Sequence, residues 1–271
     1  MPELPEVETI ARGLAPLLTG RRFTALTVLD RRVFVGSAAR FRAAILGRAI
    51  TGVLRRGKLC LVEIEGGGHV AFHLKMTGRL FVTRPDPQPG PHLRVLLTLD
   101  DGRALHFNDM RRFGSCRGFA PGGLEAWDFY AGLGPEPLEL TDAAFDAALG
   151  SRAARIKALL LDQRVLAGVG NIYADEALFA AGIRPMTLAR DISPAGRKKL
   201  LAALKDILHR AIAAGGSTIR DYRTAEGVEG SFQWDFAVYG RGGEACPACK
   251  GKLLADKVAG RTSTYCPRCQ R

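Results

Sequence analysis

The chain has 271 residues with a formal net charge of +12 and a sequence pI of about 9.8, which favours a polyanionic partner such as nucleic acid. It contains no apolar run of about eighteen residues and no secretory signal pattern at its start, which argues against a membrane-spanning or exported protein. We therefore expect a cytoplasmic protein of one or two domains, each able to bury its own core.

The start of the chain predicts a helix. Val7, Ile10 and Leu14 stand at helical spacing in the segment from Pro5 to Leu18, and Gly20 supplies a stop. The same segment carries the first chemically suggestive residues. If Met1 is removed, Pro2 has a free secondary amine with an appreciable neutral fraction at physiological pH, which suits nucleophilic attack on a sugar C1′. The alternative is structural, because Pro and Glu are both common in the first turn of a helix.

From Arg22 to Phe119 the pattern changes to short β-rich runs separated by Gly, Asp-Gly and Pro-rich turns. Strands at this frequency indicate an antiparallel sandwich or barrel. Cys60 and Cys116 lie in alternating apolar segments, so we interpret them as buried small hydrophobic residues.

The second half of the chain predicts helices after a Gly- and Pro-rich connection over 119–142. The longest helical pattern covers 193–216. A Gly-rich polar segment over 215–233 follows, and its weak periodicity argues against a buried element. The sequence therefore predicts an α+β fold.

The C-terminal segment predicts a metal site. Two C-x-x-C pairs provide four thiolates that can close a tetrahedron around one structural Zn²⁺; the ligands are Cys246, Cys249, Cys266 and Cys269. Alternative disulfide pairing would need an oxidising compartment. Residues 241–271 also hold seven Lys or Arg against two acids, a net charge of +5, which favours binding to phosphates.

Several segments, in one order from Met1 to Arg271, carry a resemblance to a known family: MPELPEVETI, RRGK, HLKMTGRL, RRFG, GVGNIYADEALF, GGSTIRDY and RTSTYCPRC. They resemble the Fpg/Nei family of DNA glycosylases, in particular its formamidopyrimidine-DNA glycosylase branch. The resemblance implies excision of oxidised purines, chiefly 8-oxoguanine and formamidopyrimidines, from double-stranded DNA. It also implies β,δ-elimination at the resulting abasic site by a monomeric enzyme.

The resemblance further implies three parts in the fold. Residues 1–132 are expected to form an N-terminal helix and β-sandwich catalytic domain. Residues 133–235 are expected to form a helical domain with a helix–two-turn–helix element and a lesion loop. Residues 236–271 are expected to form the four-cysteine zinc finger.

Catalytic and phosphate-contacting roles are carried over by the same resemblance. Pro2 is similar to the family's nucleophile and Glu3 to its acid/base partner. Lys58, at a turn in RRGK, matches a lysine near the lesion and its phosphate, and Arg261 matches an arginine that grips phosphates there. His73 matches a phosphate-contacting position. His73 and Lys75 flank Leu74 in a strand, so alternation would turn both toward DNA while Leu74 packs.

A trio of residues resembles the group that enters the duplex when a nucleotide is extruded: Met76, Arg111 and Phe113. Apolar and aromatic side chains can fill the gap in the stack, and an arginine can hydrogen-bond the orphaned base. A core role for Met76 and Phe113 is the alternative. Met110 stands where the family often has proline, which leaves the rigidity of this loop open.

The remaining expected contacts are less specific. The DNA-binding set also includes His92, Lys157 and Asn171. Asn171 could bind a phosphate at a helix N-terminus or cap the helix, and both can hold at once. The lesion-loop set comprises Ser217, Thr218, Arg220 and Tyr222.

Three other functions are considered. An endonuclease VIII-like enzyme would remove oxidised pyrimidines, but Leu4 and the RRFG loop resemble the purine-specific branch. A non-enzymatic zinc-containing DNA-binding protein would explain the finger but not the Pro-Glu start. An RNA-binding zinc ribbon would favour surface aromatics interleaved with basic residues, which the finger lacks.

Overall fold

The computed structural model describes residues 1–85, 90–219 and 221–271. These residues form two compact units. The first unit joins Met1–Gly132 to Ala214–Ser231, and the second joins Leu133–Ala213 to Phe232–Arg271. The expected division into three parts stays a prediction.

The first unit begins with α1 (Leu4–Leu18), which confirms the predicted N-terminal helix. Its buried apolar side chains, among them Ile10 and Leu14, recur every three or four residues and pack on the sheets. Gly20, at φ +83°, provides the left-handed residue that turns the chain after the helix.

The other elements of the first unit follow in chain order: β1 (Phe23–Val28), β2 (Phe34–Val35), α2 (Ala38–Ile45), β3 (Ile50–Arg56), β4 (Leu59–Ile64), β5 (Gly68–His73), β6 (Gly78–Thr83), β7 (Leu93–Leu99), β8 (Ala104–Asp109), β9 (Ser115–Phe119) and α3 (Asp128–Ala131).

Two sheets with the strand orders β1-β7-β8-β6 and β2-β9-β5-β4-β3 build the sandwich. The pairs are antiparallel apart from β2 and β9, where Phe34 lies beside Cys116 in parallel register. The sheets share one core, in which the rings of Phe72 and Phe107 meet edge to face with centroids 5.4 Å apart. Cys60 and Cys116 are fully buried, as predicted, and burial raises the pKa of both thiols.

The elements of the second unit are α4 (Asp142–Leu149), α5 (Ile156–Leu161), α6 (Asn171–Ala181), a 3₁₀ turn (Ala189–Asp191), α7 (Pro194–Ala213), a second 3₁₀ turn (Phe232–Asp235), β10 (Leu254–Val258) and β11 (Arg261–Tyr265). Helix α6 packs against α5, α7 and β11. Every residue from 172 to 178 is therefore buried, including two carboxylates that need partners.

The Gly-rich segment 214–231 packs against α1 in the first unit. Tyr222 and Ala225 belong to the main apolar core, so the expectation that this segment is not buried is wrong. Its attachment also uses backbone groups, since the amide of Ser217 donates to Glu6 Oε1 at 2.8 Å. The Tyr222 hydroxyl donates to the carbonyl of Gly215 at 2.9 Å. Hydrogen bonds of this kind do not require apolar residues at a regular spacing, so the sequence shows no periodicity that would indicate burial.

Within the described ranges, no helix has both the length and the apolar character needed to cross a lipid bilayer.

Replacing Gly13 by Leu should displace segment 214–231 from α1. A Cβ at position 13 would lie 3.0 Å from Ala225 Cβ and 2.4 Å from Glu226 Oε1, so a larger side chain has no space there. Hydrogen exchange in peptides spanning 217–229 should accelerate at least about tenfold, while exchange in β4 and β5 stays unchanged. Arg12→Leu, at a side chain that is 67% exposed, is the matched control. Unchanged exchange in the Gly13→Leu protein would contradict this packing.

Candidate active site and DNA-binding surfaces

The start of α1 is buried and held by reciprocal hydrogen bonds. Pro2 and Glu3 are both buried, and Glu3 is the N-cap with extended backbone angles. The Glu3 amide donates to Glu6 Oε2 at 2.8 Å, and the Glu3 carboxylate accepts from the Glu6 amide in return. Because the other Glu6 oxygen accepts from Ser217, one carboxylate joins the start of the chain to segment 214–231.

Lys58 lies beside His73 at one end of the five-stranded sheet. Lys58 follows Gly57, a left-handed turn residue at φ +56°, and directly precedes Leu59, which pairs with His73. Lys58 is largely buried. The sequence therefore brings this pair together through the β3–β4 turn and the β4–β5 register.

His73 is a neutral residue in this environment. Burial, reinforced by the positive charges of Lys75 and Lys58, lowers the pKa of His73 to about 3. Its Nδ1 accepts the N–H of Lys75 at 3.1 Å, which leaves the proton of the neutral ring on Nε2. His73 can therefore donate a hydrogen bond to an anion but brings no positive charge.

The expected alternation through residues 73–75 is wrong. Strand β5 ends at His73, and Lys75 has a left-handed backbone at φ +50°. Leu74 is fully buried as expected, and Lys75 is exposed. The turn arises where the chain leaves β5 for β6, which belongs to the other sheet.

Met76, Arg111 and Phe113 form an exposed cluster on the first unit. Met76 is 43% exposed and Phe113 54% exposed, which removes the alternative of a core role for either. The Arg111 guanidinium lies 4.6 Å from the centroid of the Phe113 ring, and its Nη1 is 3.1 Å from Met76 Sδ. We call residues 110–113, between β8 and β9, the wedge loop.

A cavity of about 230 Å³ lies near the wedge loop in the same unit. His92, which is exposed, is one of its lining residues, as are Thr77 and Met110. Sequence reasoning missed three charged lining residues: Arg79, Asp221 and Arg223. Burial lowers the pKa of the Arg79 guanidinium, and nearby Arg223 acts in the same direction. Arg79 lies in the HLKMTGRL segment, Asp221 in GGSTIRDY and Arg223 directly after it, but no local pattern marked these residues as lining one cavity.

The lesion-loop residues differ in exposure. Ser217 and Tyr222 are buried, and burial raises the pKa of the Tyr222 hydroxyl. Thr218 is half-buried; its Oγ1 donates to the carbonyl of Tyr222 at 3.2 Å and accepts the amide of Gly230 at 2.9 Å. Arg220 lies outside the described residues. The buried members therefore anchor the loop.

In the second unit, Lys157 is fully buried. Its Nζ lies 2.6 Å from Asp175 Oδ1 and donates to Ser263 Oγ at 2.7 Å and to the carbonyl of Thr262 at 3.0 Å. Burial raises the pKa of Asp175 to about 6 although Lys157 opposes this shift. The ammonium group thus joins α5, α6 and β11 in the interior, away from the surface where it would meet DNA directly.

Asn171 opens α6 without capping it. The N-cap is Gly170, and Asn171 occupies the first helical position after it. Asn171 Nδ2 donates to the carbonyl of Thr262 at 3.0 Å, so the side chain reaches the antiparallel hairpin of β10 and β11, which we call the finger hairpin. The preceding loop is fixed by Gln163, whose Oε1 accepts the amide of Gly168 at 2.9 Å. The capping alternative is therefore wrong, and the side chain instead links the start of α6 to β11.

Arg261 stands exposed at the turn between β10 and β11. The Asp175 carboxylate also accepts the amide of Thr264 at 3.1 Å, which fixes β11 on α6. At the entry to the finger, Glu176 accepts three backbone amides at 2.7–2.9 Å, from Ala237, Val238 and Tyr239. Two buried carboxylates of α6 therefore set where Arg261 is presented.

The four finger cysteines form a metal-binding cluster. Their sulfur atoms all lie within 4.8 Å of one another, and none is in a disulfide. Two of the separations are 3.9 Å, between Cys246 and Cys269, and 3.5 Å, between Cys249 and Cys266. Tetrahedral Zn–S bonds of about 2.3 Å imply sulfur separations near 3.8 Å, so this donor set fits one structural zinc ion.

Comparison with known proteins covers nearly the whole chain. Residues 1–116 match the formamidopyrimidine-DNA glycosylase N-terminal domain, residues 133–223 match its H2TH domain, and residues 243–271 match the zinc finger found in FPG and IleRS. The chain is 46% identical to a formamidopyrimidine-DNA glycosylase of Solibacter usitatus, with both chains fully covered.

Solved structures give the same result. The MutM (Fpg) protein of Thermus thermophilus is 43% identical, with a TM-score of 0.88 and coverage of 99% of this chain and 98% of that one. A Lactococcus lactis Fpg mutant in complex with a Fapy-dG-containing DNA is 31% identical, with a TM-score of 0.92 and full coverage of both chains. The chain belongs to the formamidopyrimidine-DNA glycosylase family.

Proposed function

We propose that the protein is a bifunctional DNA glycosylase and abasic-site lyase that removes 8-oxoguanine and formamidopyrimidines from duplex DNA. The observation that carries the proposal is the pairing, in one compact unit, of a rigidly held Pro-Glu start with the exposed Met76–Arg111–Phe113 cluster. The relatives bear the name of this activity, and the Lactococcus lactis Fpg mutant was solved with Fapy-dG-containing DNA. Action on chromosomal DNA would place the protein in the bacterial cytoplasm, at the nucleoid.

The chemical step starts from the Pro2 nitrogen after removal of Met1. The neutral secondary amine forms a bond to C1′ as the bond from C1′ to the base breaks, and the departing base takes up a proton from solvent. Glu3 can accept the proton that the Pro2 nitrogen then loses and deliver it to the sugar ring oxygen, so that opening of the ring leaves an iminium ion between Pro2 and C1′. The iminium acidifies the adjacent C2′ hydrogens, so the 3′ phosphate and then the 5′ phosphate leave by β- and δ-elimination.

The remaining residues of the first unit hold and open the duplex. Lys58 would contribute charge to a phosphate near the lesion, and the Nε2–H of His73 would donate to a neighbouring phosphate oxygen. Insertion of the Met76–Arg111–Phe113 cluster would fill the gap left by the extruded nucleotide. The cavity lined by Arg79 and His92 is the proposed place where lesion-specific contacts are made, and residues of segment 214–231 form one of its walls.

The second unit would grip the backbone. The N-terminal end of α6, where Asn171 lies, carries the positive end of the helix dipole toward one phosphate, and Arg261 offers a guanidinium to another. Lys157 is proposed to act indirectly, because its buried ammonium fixes the strand that begins with Arg261. The zinc ion, held by the four finger cysteines, is structural and takes no part in bond making.

Blocking the Pro2 nitrogen should abolish the chemistry. Protein lacking Met1 should give a borohydride-trapped covalent complex with a duplex containing 8-oxoguanine opposite cytosine. Protein that retains Met1, verified by mass spectrometry, should lose trapping and excision by at least about a hundredfold, since an amide nitrogen is not nucleophilic. Both forms should bind undamaged duplex equally well.

Full trapping with Met1 retained would place the nucleophile elsewhere. Preferential excision of thymine glycol over 8-oxoguanine by the processed protein would instead favour the endonuclease VIII-like alternative.

Loss of zinc should separate DNA binding from the integrity of the sandwich. Cys249→Ser should release the metal, unfold residues 243–271 and reduce duplex affinity at least about tenfold. Hydrogen exchange in peptides of β4 and β5 should be unchanged. Cys60→Ser, in the core of the sandwich, is the control that should leave the zinc content at one per chain. Active protein with substoichiometric zinc would contradict the assignment.

Substitutions at Arg261 and His73 should have different effects on the salt dependence of DNA binding. Arg261→Ala should weaken binding to damaged and undamaged duplex alike and reduce the slope of log K against log salt by about 0.9. His73→Gln keeps a neutral donor, so the slope should stay the same. In the unmodified protein, the low pKa of His73 means that affinity should show no titration of this residue between pH 5 and 8. A slope reduced by His73→Gln would mean that the imidazole binds DNA as a cation.

A further inference from the structure

A buried carboxylate lies directly beneath the wedge loop. Asp109, the last residue of β8, is fully buried. One of its carboxylate oxygens accepts a hydrogen bond from the hydroxyl of Thr77, and the other accepts the amide of Gly114 at 2.7 Å. Its own backbone is fixed as well, since its amide donates to the carbonyl of His92 at 2.9 Å and its carbonyl accepts from Arg94 Nε at 2.8 Å.

Thr77 connects this carboxylate to both sides of the exposed cluster. It is buried and follows Met76 directly in the chain. While its hydroxyl donates to Asp109, the same oxygen accepts the backbone amide of Arg111 at 3.0 Å. One hydroxyl group therefore sets the distance between the backbone segments that carry Met76 and Arg111.

The wedge loop needs such support because its backbone is unfavourable and its sequence does not stiffen it. Arg112 has φ +60°, a left-handed conformation that is unfavourable for a residue with a side chain. Met110 leaves its own φ free, unlike a proline. Gly114 closes the loop where no side chain fits: a Cβ there would lie 2.9 Å from the carbonyl oxygen of His73 and 3.0 Å from Asp109 Oδ2.

We propose that Asp109, acting through the Thr77 hydroxyl and the Gly114 amide, is the positioning residue that holds the wedge loop ready for insertion into the duplex. The inference rests on the proposed function. Arg111 and Phe113 contact DNA in this account, whereas Asp109 acts through them by way of the Thr77 hydroxyl. Because Thr77 also lines the neighbouring cavity, exchange of the loop amides in the free protein is the readout specific to positioning. Their contribution is greatest when a paired nucleotide must be extruded, because only then does a gap in the stack have to be filled.

The test compares Thr77→Val, which removes the hydroxyl at nearly constant shape, with Thr77→Ser, which keeps it. Thr83→Val, an exposed threonine at the other end of β6, is the matched control. Each protein is assayed for single-turnover excision of 8-oxoguanine opposite cytosine and for cleavage at a preformed abasic site. Hydrogen exchange of the amides of Arg111 and Gly114 is measured on the free protein.

Thr77→Val should slow excision of the paired lesion about tenfold and affect abasic-site cleavage much less. It should also accelerate hydrogen exchange of the Arg111 and Gly114 amides. Thr77→Ser, which keeps the hydroxyl, should show the excision rate and the exchange rates of the unmodified protein. The inference would be overturned if the Thr77→Val protein excised the paired lesion and exchanged both amides at the rates of the unmodified protein. Equal losses of rate on the two substrates would also overturn it. If Thr77→Val does not fold, Asp109→Asn, which cannot accept both hydrogen bonds as the carboxylate does, must show the same selective loss.

The exchange measurement separates this inference from the proposed function. If the unmodified protein had no activity on either substrate, the proposed function would be overturned, together with the inferred effect of Asp109 and Thr77 on excision. Unaltered exchange of the Arg111 and Gly114 amides in an otherwise active Thr77→Val protein overturns the positioning role alone.

Discussion

The site in the first unit depends on the carboxylate of Glu6. One oxygen accepts the amide of Glu3 and the other accepts the amide of Ser217, so a single buried group ties the start of the chain to segment 214–231. A terminal amine is normally the most mobile part of a chain. Here the capping box and the burial of Pro2 hold it in a defined place, which a nucleophile requires. The same carboxylate makes the order of segment 214–231 relevant to the start of α1, where the nucleophile is proposed to lie.

Buried charges organise the two units in parallel ways. In the first unit Asp109 is satisfied by a hydroxyl and a backbone amide beneath the wedge loop. In the second unit Asp175 is satisfied by Lys157 and by the amide of Thr264 beneath the finger hairpin. Each carboxylate would be costly to bury alone, and each is compensated by groups of the element it positions. The exposed residues proposed to contact DNA are therefore held in position by buried carboxylates that do not contact it.

The sequence predicted those features that leave a local pattern. Helix α1 follows from its apolar spacing, and the zinc site follows from two C-x-x-C pairs whose sulfur atoms do lie within 4.8 Å. The exposure of Phe113 followed from its setting between arginines and a Gly turn. Catalytic roles for Pro2 and Glu3 came from family resemblance, since their residue types alone equally suit an ordinary helix start.

What the sequence did not reveal depends on contacts distant in the chain. Lys157 was expected at the DNA surface, but its partners include Asp175 and, more than a hundred positions away, Ser263. Residues 215–233 were expected to be unburied because their apolar periodicity is weak. The anchors of this segment include a backbone amide and the ring of Tyr222, and such contacts require no regular spacing of apolar residues. The left-handed Lys75 breaks the alternation expected after β5, and propensity gives no warning of it because lysine rarely adopts that conformation.

The central claim is that the Pro2 nitrogen forms the bond to C1′. The most direct measurement is peptide mapping of the borohydride-reduced protein–DNA adduct by trypsin digestion and tandem mass spectrometry. The account predicts that the sugar remnant is attached to the peptide spanning residues 2–12, with fragment ions that place it on the Pro2 nitrogen. Attachment to a peptide containing Lys58, or to any other lysine, would contradict the account.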